Sequence, residues 1–352
     1  FRTANQDVGI IKFKTYIQLF LVLWMIWELA PEPRKQFGLL LAYVLGAYVA
    51  AFNTIYVYHS EVGLERRFAA EGFDPNDLGM TLALAIPMAW YLGMTYRQPI
   101  LRWACRAYIL VGIVALGLTG SRGAMLASMV ALLIVPLTMT KMTPGKMIAA
   151  TFLLCAAGGV AVAFIPQTSF QRLGSTKSEV EEGTLNGRIQ IWKAGVHAFT
   201  QKPVLGYGTG GFDWAIIPWL GHERPPHNAY LGVLVEQGII GFFLWIMMFI
   251  SVLFPVMKLP PLERRFALVL MATMAVAMLP LGWDDRKPVW FIVGILAALS
   301  ESMTQRRAAP PPVVEAVPLR PLRPVRRPPP PREPRIQPAP RPSPRLKRDG
   351  TA

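Results

Sequence analysis

PPHNAYLGVLVEQGIIGFFLWIMMFISVLFPVM, residues 225–257, decides the class of this chain. The polar pair His227 and Asn228 ends a long hydrophilic stretch and gives way to an apolar run reaching Met257. That run exceeds the roughly 17–25 residues a helix needs to cross a bilayer. An ionisable side chain at a membrane boundary costs stability, so His227 is a functional-site hypothesis by default.

The rest of the sequence agrees with a membrane protein. Hydrophobic residues make up 53% of the 352 and charged residues 16%, which excludes an ordinary soluble domain. No apolar block alternates with the period of a barrel strand, so the expected class is all-α, a polytopic transmembrane helical bundle. The chain opens FRTANQ, without a starting methionine or a signal-peptide pattern, and reads as a fragment lacking N-terminal residues. Cys105 and Cys155 lie in apolar segments and read as small buried hydrophobes.

A net charge of +15 suggests a nucleic-acid binder until it is located. From Arg306 onward there are 12 Lys+Arg against 3 Asp+Glu, or +9 from the tail alone. That Pro/Arg-rich tail, residues 304–352, cannot form a packed core and reads as a disordered, partly polyproline arm. Anionic membrane lipids suit it, and no nucleic-acid partner is expected.

Nine apolar segments stand out: 15–30, 37–58, 77–96, 103–119, 123–140, 146–165, 229–257, 266–282 and 288–302. The domain reading is therefore N-terminal transmembrane helices (1–165), a large outer loop (166–228), C-terminal transmembrane helices (229–303) and the tail. Arg34, Lys35, Arg97, Arg102, Lys141, Lys146, Lys258, Arg264 and Arg265 all fall on one side if every segment spans. The positive-inside rule makes that side cytoplasmic, so His227 faces outward and residue 1 lies outside.

The outer side gathers the chemistry. GTLNGRIQIWKAGVHAF predicts a helix, with Ile189, Trp192, Val196 and Phe199 at helical spacing between Gly187 and Lys202–Pro203. LGYGTGGF (205–212) lacks the GxGxxG spacing and its strand–helix context, so a tight turn is expected rather than a phosphate cradle. Arg122, in TGSRGAML, is either a snorkelling anchor or a bidentate phosphate partner. Arg188 opens the loop helix; His197 and His222 read as structural or solvated. Asp284 and Asp285 adjoin Arg286 and Lys287, where local ion pairing is expected, and no residue cluster suggests a metal or another cofactor. Arginines suit an anionic donor and histidine suits proton removal from a hydroxyl, which together point to group transfer from a lipid-linked phosphate or diphosphate.

Four blocks in order resemble the O-antigen ligase and Wzy polymerase superfamily. They are RRFAAEGFDPNDLGMTLALAIPMAW (66–90), LTGSRGAMLA (118–127), NGRIQIWKAGVHAFTQKPVLGYGTGGF (186–212) and PHNAYLGVLVEQGIIG (226–241). The resemblance implies about twelve spans in an intact protein, so about three would precede this fragment. It also implies a multi-pass protein of the bacterial inner (cytoplasmic) membrane with its active site facing the periplasm. The implied reaction is metal-independent, inverting glycosyl transfer from a glycan on undecaprenyl diphosphate to a glycan or lipid A–core hydroxyl, in polysaccharide or lipopolysaccharide biosynthesis. His227 would be the general base, and Arg122 and Arg188 would bind the diphosphate. Arg67, or its neighbour Arg66, would join them beside Asn76; the turn here reads DPN (Asp74–Asn76), a departure from the family's NPN-like pattern. Asn228 would orient His227 or the acceptor, with capping of the next helix as the structural alternative. Ligase and polymerase differ in acceptor, and the sequence does not separate them. An anion or solute transporter is the alternative from another class, although no internal repeat or matched pair of broken helices supports it.

Overall fold

The computed structural model describes residues 6–60, 67–139, 145 and 187–308. Segment 146–165, residues 166–186 of the loop, Arg66, Cys155 and the tail beyond Ala308 lie outside the described residues. Within them every regular element is a helix: α1 (Gln6–Leu29), α2 (Pro33–Ser60), α3 (Pro75–Thr95), α4 (Pro99–Leu118), α5 (Arg122–Leu132), α6 (Ile134–Thr138), α7 (Arg188–Gln201), α8 (Phe212–Ala215), α9 (Ile217–Leu220), α10 (Ala229–Met257), α11 (Pro261–Ala277) and α12 (Lys287–Ala308).

Among the described residues five helices are long and apolar enough to cross a membrane: α1 from Asp7, α2, α3, α4 and α10. The expected segment 123–140 is the shorter pair α5–α6, interrupted at Leu133. The expected 266–282 starts earlier, at Pro261, because proline is favoured in a first helical turn, and it spans only 17 residues. The expected 288–302 runs on through a charged end to Ala308. Length and composition thus support five spans among the described residues, and segment 146–165 of the nine expected lies outside them.

Helix α3 is the centre. Nearly every residue from Leu78 to Gly93 is buried, as expected of a helix that is apolar all round. It packs against α2, α4, α5 and α11, and Tyr91 stacks on Phe266 of α11 with ring centroids 4.2 Å apart. Within a bilayer such packing is held by close van der Waals contact rather than by removal of apolar surface from water. By contrast α1 and α10 expose Phe20, Trp24, Phe243, Leu244 and Phe254, surface suited to lipid rather than water.

Polar contacts show which connections share an end of the bundle. Phe68 N–H donates to Leu118 O (3.1 Å), Ala229 N–H to Met278 O (3.0 Å), and the Trp283 indole to Asp77 Oδ1 (2.9 Å). The links around 67–74, 119–121, 187–228 and 278–286 therefore meet at one end. At the other, buried Gln36 donates to Ala30 O and Ala298 O, both at 3.0 Å. Arg34, Lys35, Arg97, Arg102, Lys258, Arg264 and Arg265 lie at or near that second end.

The loop helix spans Arg188–Gln201 as expected, with Gly187 in the left-handed region at its start (φ 78°). Its fully buried face is built mainly of small residues, with Trp192 and Phe199 packed against it. Ile191, Ala194, Gly195 and Ala198 are buried, whereas Val196 is 52% exposed. The small residues let the helix lie close to Phe212 and Leu231, which a stripe of large side chains would prevent.

The glycine stretch does turn tightly, with positive φ at Gly206, Gly208 and Gly210. Its amides meet the backbone of α10. Tyr207 N–H donates to Val235 O (3.0 Å) and Gly208 N–H to Glu236 O (2.7 Å). Helix α10 is broken at Gly238 (φ 65°, ψ −170°), and the amide of Ile239, past the break, donates to Pro203 O (2.8 Å). Loop and broken helix thus satisfy each other's orphaned backbone groups.

Candidate active site

Three short sequence signals build one cavity at the loop-rich end. Asp74 caps α3, its Oδ1 accepting from the amides of Asn76 (2.8 Å) and Asp77 (3.3 Å), with Pro75 in the first turn. Asn76 is thereby fixed with its side-chain oxygen between two donors, Arg67 Nη2 (2.6 Å) and Ser121 Oγ (3.1 Å). Arg67 Nε also donates to Thr119 O (2.8 Å), so the arginine bridges the start of α3 and the end of α4.

Gly120 (φ 56°) makes the turn between α4 and α5, and Ser121 caps α5 by accepting from Ala124 N–H (3.4 Å). Arg122 is the first residue of that helix. Gly123 sits so tightly against the link after α11 that a Cβ would lie 2.5 Å from Pro280 Cγ. Arg67, Asn76, Ser121, Arg122, Arg188 and Pro280 are among the residues lining a cavity of ≈ 330 Å³, near the lower end for ligand sites.

The described cavity wall is rich in cationic side chains. Arg67, Arg122 and Arg188 line it and no carboxylate does. Burial, then repulsion from Arg122, holds the Arg188 guanidinium below its usual range, with Asp74 opposing. It stays a cation at neutral pH all the same. Cations gathered this way gain from a doubly charged ligand with several acceptor oxygens.

His227 stands beside this set rather than in the cavity lining. Burial lowers its pKa below the ordinary 6.5, Arg188 and Arg224 lower it further, and Asp74 opposes them. The imidazole is therefore neutral near pH 7, the form that accepts a proton. Its backbone has φ 44°, which marks a non-glycine residue held by its surroundings. One constraint is visible: the Trp192 indole of α7 donates to Pro226 O (3.1 Å), pinning the residue before the histidine. Asn228 caps α10, its Oδ1 accepting from Leu231 N–H (3.0 Å).

His197 stacks on Trp219 (6.2 Å between centroids), and Cys105 is a buried free thiol. Arg286 reaches Asp77 of α3 (3.5 Å) instead of pairing only locally, while buried Asp284 accepts from Tyr16 Oη (3.0 Å). Among the described residues no three His, Cys, Asp or Glu side chains gather as metal ligands. Ser121 and Pro280 were not foreseen as cavity residues. A helix-cap reading of TGSRG finds the first, whereas Pro280 enters from a link 157 positions beyond Gly123 and leaves no local signal.

The family comparison converges on the same region. Residues 107–246 match the O-antigen ligase family. The matched stretch is similar to the O-antigen ligase and Wzy polymerase superfamily, whose members are membrane glycosyltransferase-like enzymes. The matched region contains Arg122, Arg188, His227 and Asn228. Arg67 and Asn76 reach the cavity from outside it. No curated protein matches the chain.

Proposed function

We propose that this protein transfers a glycan from undecaprenyl diphosphate to an acceptor hydroxyl at the periplasmic face, with inversion and without a metal. The observation that carries this reading is the cavity lined by three arginines beside a histidine kept neutral by burial and by one of them. Arg67, Arg122 and Arg188 hold the diphosphate. His227 takes the proton from the acceptor oxygen as that oxygen attacks the anomeric carbon. The bond from that carbon to the diphosphate breaks, and its electron pair leaves on the phosphate, where the guanidiniums stabilise the growing charge. Asn76, itself bonded by Ser121, and the Thr119 carbonyl hold Arg67, and the Asn228 cap fixes the chain direction just after the base.

A lipid A–core acceptor makes the enzyme a ligase, and a second lipid-linked glycan makes it a polymerase. Gel analysis of glycolipids from a deletion strain separates them. Lipid-linked polymer accumulates if the missing enzyme is the ligase, and single repeat units if it is the polymerase. Normal surface polysaccharide in cells carrying only His227→Ala and Arg188→Ala proteins would overturn the catalytic assignment.

A further inference from the structure

Glu236 has no part in the transfer just described, yet it is 4% exposed within an apolar helix. A buried carboxylate persists only where it is paired and hydrogen-bonded. Here Lys12 Nζ of α1 reaches both its oxygens at 3.2 Å, and Gly210 N–H donates to Oε2 at 2.8 Å. A Cβ on Gly210 would lie 2.7 Å from Val8 Cγ1, so the same loop position is pressed onto α1.

The clamp has a structural route to the site. Two residues after Gly210, Phe212 is fully buried in a cluster with Ile191, Ala194 and Ala198 of α7 and Val235 of α10. A Cβ on Gly195 of α7 would lie 2.9 Å from Leu231 Cδ2 of α10 and 3.1 Å from the Phe212 ring. The seat of α7 is therefore made by the glycine loop and the first turns of α10, and Arg188 is the first residue of α7.

We propose that Glu236 is a positioning residue: with Lys12 it clamps the glycine loop to α10, and the clamp sets the α7 seat from which Arg188 lines the cavity. This rests on the transfer reading above. It gives a role to the glycine stretch that a phosphate-cradle reading does not.

The test measures transfer by the full chain in lipid nanodiscs, with a diphosphate-linked glycan donor and varied acceptor. Glu236→Ala lowers kcat/KM for the donor by about tenfold or more at unchanged acceptor KM. Glu236→Gln, which keeps an oxygen for Gly210 N–H, restores most of it. A structural ion pair alone would cost the same in any background. Through Arg188 the cost is not additive, so Glu236→Ala costs less than about threefold in an Arg188→Lys background. Equal cost in both backgrounds, or wild-type rates for Glu236→Ala, overturns the proposal. If Glu236→Ala fails to accumulate, Gly210→Ala takes its place with the same expectations. Wild-type transfer by His227→Ala would instead overturn the reading of the site, a separable result.

Discussion

Arg188→Gln removes one of the three guanidiniums lining the cavity while Arg67 and Arg122 remain. Losing one preorganised donor at a developing charge costs about 2.7–4 kcal/mol. At about 1.4 kcal/mol per factor of ten, kcat falls roughly 10²–10³-fold. Part of the contact already exists with bound donor, where a hydrogen bond to a charged group is worth about 1.5–3 kcal/mol, so donor KM rises as well. Arg188→Lys keeps the charge but not the planar fork, and its loss is smaller, about tenfold. The assay is single-turnover and steady-state transfer of a labelled glycan in nanodiscs, with protein amount and thermal midpoint matched. Arg188→Gln within about threefold of wild type would refute the diphosphate grip.

His227 binds its proton more weakly than the ordinary 6.5 because of burial and then Arg188, and a base works deprotonated. Activity should therefore rise with pH through a titration below 6.5 and be level at neutrality; Arg188→Gln relieves the repulsion and moves that acid limb to higher pH, read from kcat/KM profiles. Asn228→Ala leaves Leu231 N–H without its cap and lowers stability by roughly 1 kcal/mol, seen as a lower thermal midpoint that Asn228→Asp restores. Gly123→Val drives a side chain into Pro280 and shifts the cavity wall, costing about tenfold or more in transfer.

Much of this site is legible in sequence because its parts are helix termini. Asp74–Asn76, Ser121–Arg122, Gly187–Arg188 and His227–Asn228 each stand where an apolar or amphipathic helix begins, and capping chemistry is local. The class of the fold is legible for a similar reason, since a run such as 229–257 needs no partner to declare itself. Partners across the bundle are another matter. Arg286 beside Asp284 and Asp285 looks locally paired, but it reaches Asp77 on α3. Glu236 looks like a lone charge in an apolar run until Lys12, 224 positions away, is set against it. The close seat of α7 rests on small residues, Ala194, Gly195 and Ala198, which give no strong periodic signal in the sequence. The break at Gly238 was hidden because its carbonyls and amides are satisfied by residues 203–208, a long-range exchange with no periodic signature.

The most direct measurement separates donor binding from transfer in His227→Ala. If His227 is the base and the arginines hold the donor, the variant binds the diphosphate-linked donor with wild-type affinity, while transfer falls by about 10²–10⁴-fold, the usual worth of a general base. Transfer within about tenfold of wild type at neutral pH would contradict this assignment.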